Sequence, residues 1–251
     1  MGKRQPPLAR RPYKSTSQEI ILSASLNSTR DQEDRIMQSV TSKVEIRDIA
    51  PSLWIWRAEH HHWKPGDDWQ PIVTSTYVES VGEKLVIDPL VPKTGAEELW
   101  KRLDNRPPTM AAVLIPDHVR DIEEFVRRYH ARPFGPRLFW PDDVPKTALE
   151  IIEPDRVLPG GFVALYDGRG RLETPLWLPE QRVIVFGDGL TERGGELRVW
   201  GSPWHEKRAL PALRALLELP FEQAIISHAD HEPVHSRAAY ERALELPPWE
   251  G

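Results

Sequence analysis

Three apolar runs of this chain each lead into a residue that can hold a metal ion or transfer a proton. The runs, with the residues that follow them, are 111–115 with Asp117 and His118, 183–186 with Asp188, and 224–227 with His228. A buried strand fixes the position of the side chain that follows it, so open α/β folds gather their chemistry at strand ends. The three runs therefore predict buried strands that converge on one site.

Composition limits the chemistry available to that site. The 251 residues carry a formal net charge of −5, which argues against non-specific nucleic-acid binding. No apolar run approaches the roughly 20 residues that span a bilayer. Because the chain has no cysteine, any metal must be held by histidine and carboxylate. We expect a soluble, cytoplasmic protein with a small-molecule ligand and with neither nucleic acid nor membrane as a partner. The oligomeric state is left open.

The first part of the chain differs from the rest. Residues 1–42 combine basic residues with a polar stretch whose one apolar cluster is residues 20–22, too short for a signal-peptide core. Such a segment buries too little apolar surface to offset its ordering entropy, which predicts a disordered tail or an over-extended start. Met37 is an alternative initiation site. Residues 43–251 are predicted to form the folded domain.

Within that domain the apolar pattern changes along the chain. It predicts a β-rich opening over 44–87, then alternating helices and strands over 95–129. A second β-rich part follows over 162–186, and a helix, a strand and a closing helix lie between 210 and 246. Two sheets with helices on their outer faces satisfy this order.

This order, together with Asp88 after the early strand 84–87, resembles the metallo-β-lactamase-fold superfamily over roughly residues 44–247. The resemblance implies a four-layer αββα sandwich of the α/β (α+β) class. Asp188 matches the superfamily's metal-bridging aspartate, and His228 matches its last histidine ligand. Asp88 matches an aspartate of structural role.

The superfamily's first metal motif, His-x-His-x-Asp-His, is largely lost. The best register places Pro116 at its first histidine, His118 at the second, Arg120 at the aspartate and Asp121 at the third histidine. The next expected histidine is missing from the loop 167–171. A dinuclear site needs about six or seven N/O ligands around ions ~3.5–4 Å apart, and a guanidinium cannot serve as one. We therefore expect no dinuclear centre.

Two hypotheses follow for the site. In the favoured one, Arg120 fills the vacated metal position and pairs with Asp188 or Asp121, no cofactor is bound, and the pocket binds a ligand or regulates without catalysis. This hypothesis is favoured because a fixed cation opposes metal entry. In the alternative, Arg120 points away. One zinc, iron or manganese ion, held by His118, Asp121, Asp188 and His228, then hydrolyses an ester, lactone or phosphoester.

Under the hydrolase alternative, Asp121 or Asp188 takes the proton of the attacking water. Each residue also has a structural explanation. Asp117 is expected to cap the following helix, and His118 would then be a partly buried histidine in its first turn. Asp121 is favoured there by the helix dipole alone, and Asp188 between two glycines suits a turn.

The loop 59–70 holds three consecutive histidines and two tryptophans. In the superfamily the corresponding loop overhangs the active site, and the resemblance implies that role here. His61, Trp63 and Trp69 are the predicted substrate-loop residues, since tryptophan joins a large contact area to an N–H donor. The tryptophans could equally cover a sheet edge. Trp200 and Trp204 are further candidates for the rim.

Overall fold

The computed structural model describes residues 44–250, which contain fifteen β-strands and four α-helices. The strands are β1 (Glu45–Ala50), β2 (Leu53–Glu59), β3 (Ile72–Ser80), β4 (Glu83–Ile87), β5 (Met110–Ala112), β6 (Arg132–Gly135), β7 (Glu150–Ile151), β8 (Val163–Ala164), β9 (Leu176–Leu178), β10 (Val183–Val185), β11 (Leu190–Arg193), β12 (Glu196–Val199), β13 (Gln223–Ile225), β14 (His228–Ala229) and β15 (Val234–Ser236). The helices are α1 (Glu97–Asn105), α2 (Ile122–Tyr129), α3 (Leu210–Ala215) and α4 (Arg237–Ala243). The predicted tail, 1–42, lies outside the described residues and stays a prediction.

The strands form two sheets. The larger has ten strands in the order β12-β11-β14-β3-β4-β5-β6-β7, with β2 added to β3 and β1 to β2. The smaller has five, in the order β15-β13-β10-β9-β8. In the larger sheet β4, β5, β6 and β7 run parallel, as do β10 and β13 in the smaller. Both sheets therefore offer strand ends at which loops can meet.

Side-chain alternation along β2 shows how the larger sheet is covered on both faces. Leu53 and Ile55 belong to the apolar cluster between the two sheets, which includes residues of β9 and β10. Trp54 and Trp56 point the other way and pack with residues of α1 and α2. Because successive side chains of a strand face opposite sides, a run of buried residues means that both faces are covered.

The smaller sheet follows the same rule. Val183 and Val185 face the larger sheet, whereas Ile184 packs among residues of α3 and α4. Three buried clusters thus separate four layers in the order helices, sheet, sheet, helices. The predicted αββα sandwich is confirmed.

Two local features differ from the sequence pattern. The strand expected over 111–115 ends at Ala112. Beyond it, the Leu114 N–H donates to the Asp88 carboxylate and the Leu114 carbonyl accepts the Thr174 N–H, so Leu114 does not continue the strand. The hairpin of β11 and β12 is not visible in the apolar pattern. Its turn is Gly194-Gly195, and both glycines have positive φ, 58° and 87°.

No helix in the described part of the chain is both long and apolar enough to cross a membrane.

Candidate metal centre

Three buried side chains from three different elements converge at the ends of the central strands. His118 lies in a short 3₁₀ turn after β5, Asp188 follows β10, and His228 is the first residue of β14. His118 Nε2 is 3.0 Å from Asp188 Oδ1, and His228 Nε2 is 3.3 Å from the same oxygen. The two Nε2 atoms are also 3.3 Å apart. Among residues 44–250, this is the one group of three metal-ligand side chains that lies so close together.

The spacing of these atoms fits a single metal ion. Bonds of about 2.0–2.1 Å in tetrahedral geometry place two ligand atoms about 3.3–3.4 Å apart, close to the distances among these three atoms. Two imidazoles and one carboxylate are a donor set suited to zinc, iron or manganese. The residues present therefore fit one divalent ion.

Asp88 orients His118 from behind. Its Oδ2 lies 2.8 Å from His118 Nδ1, and its Oδ1 accepts the backbone N–H of Leu114 at 2.8 Å. A carboxylate at Nδ1 fixes the imidazole so that Nε2 faces the centre, and it makes Nε2 a better donor. Asp88 itself has a φ of +46°, a conformation that non-glycine residues seldom adopt. Asp88 therefore orients His118 and is not one of the three converging side chains.

His228 is held between two indoles. Trp69 and Trp200 meet its ring edge-on, each with ring centroids 5.6 Å apart. Its Nδ1 is buried and has no hydrogen-bond partner. The aromatic walls therefore fix the ring by packing, where Asp88 fixes His118 by a hydrogen bond.

The electrostatics of the three side chains favour a protonated His118. Burial and Arg120 lower the pKa of His118, but Asp188 and Asp88 outweigh them and raise it to about 9. Burial tends to raise the pKa of Asp188, yet the two histidines hold it well below its usual range. Burial lowers the pKa of His228. A protonated His118 between two carboxylates is the resulting metal-free state.

We expect the stability of chelator-treated protein to fall as the pH rises from 6.5 to 9. The folded-state pKa of His118, about 9, is above its ordinary value of 6.5. Its contribution is therefore complete below pH 6.5 and is lost as His118 deprotonates, up to about 3 kcal/mol of unfolding free energy. Urea unfolding across this range measures it.

His118→Gln is the control, because burial also raises the pKa of the Glu173 carboxyl, so that ionisation of Glu173 likewise makes the protein less stable as the pH rises. In His118→Gln, only the contribution of Glu173 to the pH dependence of stability remains. Equal slopes in the two proteins would contradict the assignment.

Arg120 lies beside this centre, partly buried, with φ +44°. Its Nη1 donates to the carbonyl oxygens of Thr74 at 3.0 Å and Asp88 at 2.7 Å, and its Nη2 donates to Ser227 Oγ at 2.5 Å. The predicted pairing with Asp188 or Asp121 is wrong, since no carboxylate of residues 44–250 lies within 4.0 Å of its guanidinium nitrogens. Backbone carbonyls and a hydroxyl take its donors instead. The guanidinium is thus directed at the backbone of the strand ends and at Ser227.

Asp121 is not brought to the three converging side chains. Its Oδ2 accepts the backbone N–H of Val91 at 2.6 Å and lies 3.6 Å from His61 Nε2. The His61 ring is itself 2.6 Å from the Val91 carbonyl. Asp121 and His61 thus tie the loop after β4 to the start of α2.

The three side chains lie in an open cleft of about 320 Å³. Trp69, Trp200 and His60 line it, whereas His61 and Trp63 do not, and the substrate-binding role of the loop stays a prediction. Trp63 supports the loop from behind, donating its indole N–H to the Trp69 carbonyl at 2.8 Å. Burial and Arg120 lower the pKa of His60 to about 3, so it is neutral at physiological pH.

Arg171 is a cleft residue that the sequence pattern did not reveal. Its Nη2 is 2.5 Å from Asp117 Oδ2, and its Nη1 is 4.0 Å from Asp188 Oδ2. Asp117 is therefore not the helix cap expected from the sequence. It lies in the 3₁₀ turn Pro116–His118, and the residue before α2 is Asp121. The one available signal for Arg171 was its place in the loop 167–171, where the superfamily's histidine is missing.

A buried charged pair, Arg169 and Glu173, lies behind Asp188 and was also missed. Arg169 Nη1 is 3.2 Å from Glu173 Oε2, and both side chains are fully buried. Burial raises the pKa of the nearby Asp167 to about 6. Charged residues in a glycine-rich loop are typical of an exposed turn, so the sequence gives no sign of their burial.

No protein-family model and no curated protein matches this sequence. Solved structures do. The metallo-β-lactamase of Pontibacter korlensis superimposes with a TM-score of 0.59 at 16% identity, covering 82% of this chain and 100% of that one. The mono-zinc form of the metallo-β-lactamase FIM-1 of Pseudomonas aeruginosa superimposes with a TM-score of 0.60 at 16% identity, covering 81% of this chain and 94% of that one. The metallo-β-lactamase of Erythrobacter litoralis has a TM-score of 0.58 at 16% identity, with 82% of this chain and 92% of that one covered. This chain has the metallo-β-lactamase fold in a divergent form.

Proposed function

We propose that this chain binds one divalent metal ion through His118, Asp188 and His228 and hydrolyses an ester, lactone or phosphoester. The observation that carries the proposal is the convergence of two Nε2 atoms and one carboxylate oxygen, 3.0–3.3 Å apart, in an open cleft. When bound, such an ion supplies a Lewis acid that polarises a carbonyl or phosphoryl oxygen and makes water more acidic.

The position of Arg120 favours a mononuclear site over a dinuclear one. It takes the place of a carboxylate ligand in the motif, and its guanidinium is held beside the three side chains by neutral acceptors only. Its charge is therefore not cancelled by a direct ion pair. The mono-zinc FIM-1 structure is a neighbour of the same fold with one zinc ion.

The chain's own residues supply the remaining chemistry. Arg120 is a fixed positive charge beside the cleft, suited to stabilise the negative charge that develops on the substrate. Asp188 has a second oxygen, Oδ2, outside the cluster of three atoms, which can accept a proton from attacking water. Asp121, the other predicted base, is engaged by the Val91 N–H. Trp69, Trp200 and His60 line the wall against which a small organic substrate would pack.

A binding protein without catalysis is the second candidate. It is favoured by the same Arg120, because the motif position that supplies a carboxylate to ligate a metal ion and orient water here holds a cation. In that case the cleft would bind an anionic or aromatic ligand without turning it over.

Metal analysis of protein purified without chelators tests the proposal. We expect about one equivalent of zinc, iron or manganese per chain, removed by EDTA with a fall in thermal stability, because binding to the folded state alone stabilises it. Hydrolysis of nitrophenyl esters, a lactone series and bis(nitrophenyl) phosphate should stop on chelation and return with the metal. Absence of metal, with melting unchanged by EDTA, would remove the hydrolase and favour the binding protein.

A further inference from the structure

The turn that carries Asp188 is held from below by another carboxylate. Glu173 Oε1 accepts the backbone N–H of Gly187 at 2.9 Å, and its Oε2 accepts the backbone N–H of Asp188 at 3.0 Å. The Glu173 side chain is fully buried. Both of its oxygens are therefore directed at the two peptide units that set where the Asp188 side chain leaves the backbone.

The glycines of this turn allow the close approach. A Cβ atom at Gly189 would lie 3.2 Å from Glu173 Oε1, tighter than most real contacts. At Gly187 it would lie 3.1 Å from Ile115 and 3.6 Å from the Glu173 carboxyl carbon. A side chain at Gly189 would crowd the glutamate directly, and one at Gly187 would crowd Ile115. The sequence Gly-Asp-Gly thus makes room for the supporting carboxylate.

Arg169 fixes the glutamate in turn. Its Nη1 lies 3.2 Å from Glu173 Oε2, while its backbone N–H is accepted by Asp167 Oδ1 at 3.0 Å. A buried ion pair contributes little net stability, since the desolvation of both charges offsets their attraction. Apolar residues of similar volume would fill this space at no less stability. The pair gives the turn a directional contact that apolar packing cannot supply.

We propose that Glu173, anchored by Arg169, is the positioning residue that holds the Asp188 carboxylate at the metal centre. The expected effect on metal affinity rests on the proposed function. The hydrogen bonds from the Gly187 and Asp188 N–H groups to Glu173 do not depend on a metal ion. Glu173 acts through the backbone of Gly187 and Asp188 and touches neither the metal nor the substrate.

Glu173→Gln tests the inference, because the amide group presents N–H donors to one of the two backbone N–H groups and breaks that contact. We expect the zinc dissociation constant, measured by titration of the chelator-treated protein, to rise about 10–100-fold, the usual effect of losing a partner that orients a ligand. Glu192→Gln is the matched control. Glu192 is also fully buried and accepts the backbone N–H groups of His231 and Glu232.

A second readout needs no metal. Amide hydrogen exchange at Gly187 and Asp188 should be at least about tenfold faster in Glu173→Gln than in the original protein or in Glu192→Gln. If zinc binds the original protein and Glu173→Gln with equal affinity, the inference is wrong. If zinc does not bind the original protein, the proposed function is wrong. Unchanged hydrogen exchange at the Gly187 and Asp188 amides would overturn the positioning role of Glu173, whether or not zinc binds. Glu173→Asp, one methylene shorter, replaces Glu173→Gln if the latter does not fold.

Discussion

Arg120→Met is expected to lower the free energy of unfolding by about 3 kcal/mol. The substitution keeps a long side chain but removes the donors for the carbonyl oxygens of Thr74 and Asp88 and for Ser227 Oγ. Hydrogen bonds from a charged donor each contribute about 1.5–3 kcal/mol, and relief of the buried charge offsets part of their sum. Urea unfolding of chelator-treated protein measures the difference.

Arg127→Met is the control for this substitution. Arg127 is exposed on α2 and pairs with Glu124 on the same helix, so its loss should change the unfolding free energy by no more than about 0.5 kcal/mol. The zinc titration adds a second comparison, since removal of a fixed cation beside the three ligands should tighten zinc binding about tenfold in Arg120→Met only. Unchanged stability and unchanged affinity together would show that Arg120 neither stabilises the strand ends nor opposes zinc binding at this centre.

The central strands could be predicted because burial of both faces leaves continuous apolar runs in the sequence. Leu53, Trp54, Ile55 and Trp56 are all apolar because β2 packs against the other sheet on one face and against helices on the other. A strand of two residues is too short to show such a run, even inside the sheet. The two-residue strand β14 consists of His228 and Ala229, and its place in the sheet is fixed by pairing with β11 and β3.

The parts of the site that could be predicted are those that follow an apolar run in the sequence. His118, Asp188 and His228 follow apolar runs, and each of them matches a position of the superfamily's metal motifs. The partners of Arg120 are two main-chain carbonyls and a serine, and main-chain acceptors have no sequence signature. Glu173 was missed because a glutamate in a loop is ordinarily solvated. Only the tertiary structure shows that this one lies under the Asp188 turn.

Asp188→Asn is expected to weaken zinc binding by about 100–1000-fold. Structural zinc sites bind with about 10–16 kcal/mol spread over four ligands, roughly 3 kcal/mol for each. The amide is nearly the same shape as the carboxylate but lacks its charge, so the atom it places beside the two imidazoles is a neutral oxygen or nitrogen and a much weaker metal ligand. Isothermal titration of chelator-treated protein with zinc measures the loss.

Asp121→Asn separates a three-ligand centre from the four-ligand set expected from the sequence. Asparagine can still accept the Val91 N–H through its side-chain oxygen, so the local structure is retained. With His118, Asp188 and His228 as the ligands, zinc affinity in this variant should stay within about threefold of the original, since no ligand is lost. A loss as large as that of Asp188→Asn would mean that Asp121 moves to the metal on binding. Because the two substitutions remove the same charge from sites on the same side of the fold, a difference between them isolates coordination from general electrostatics.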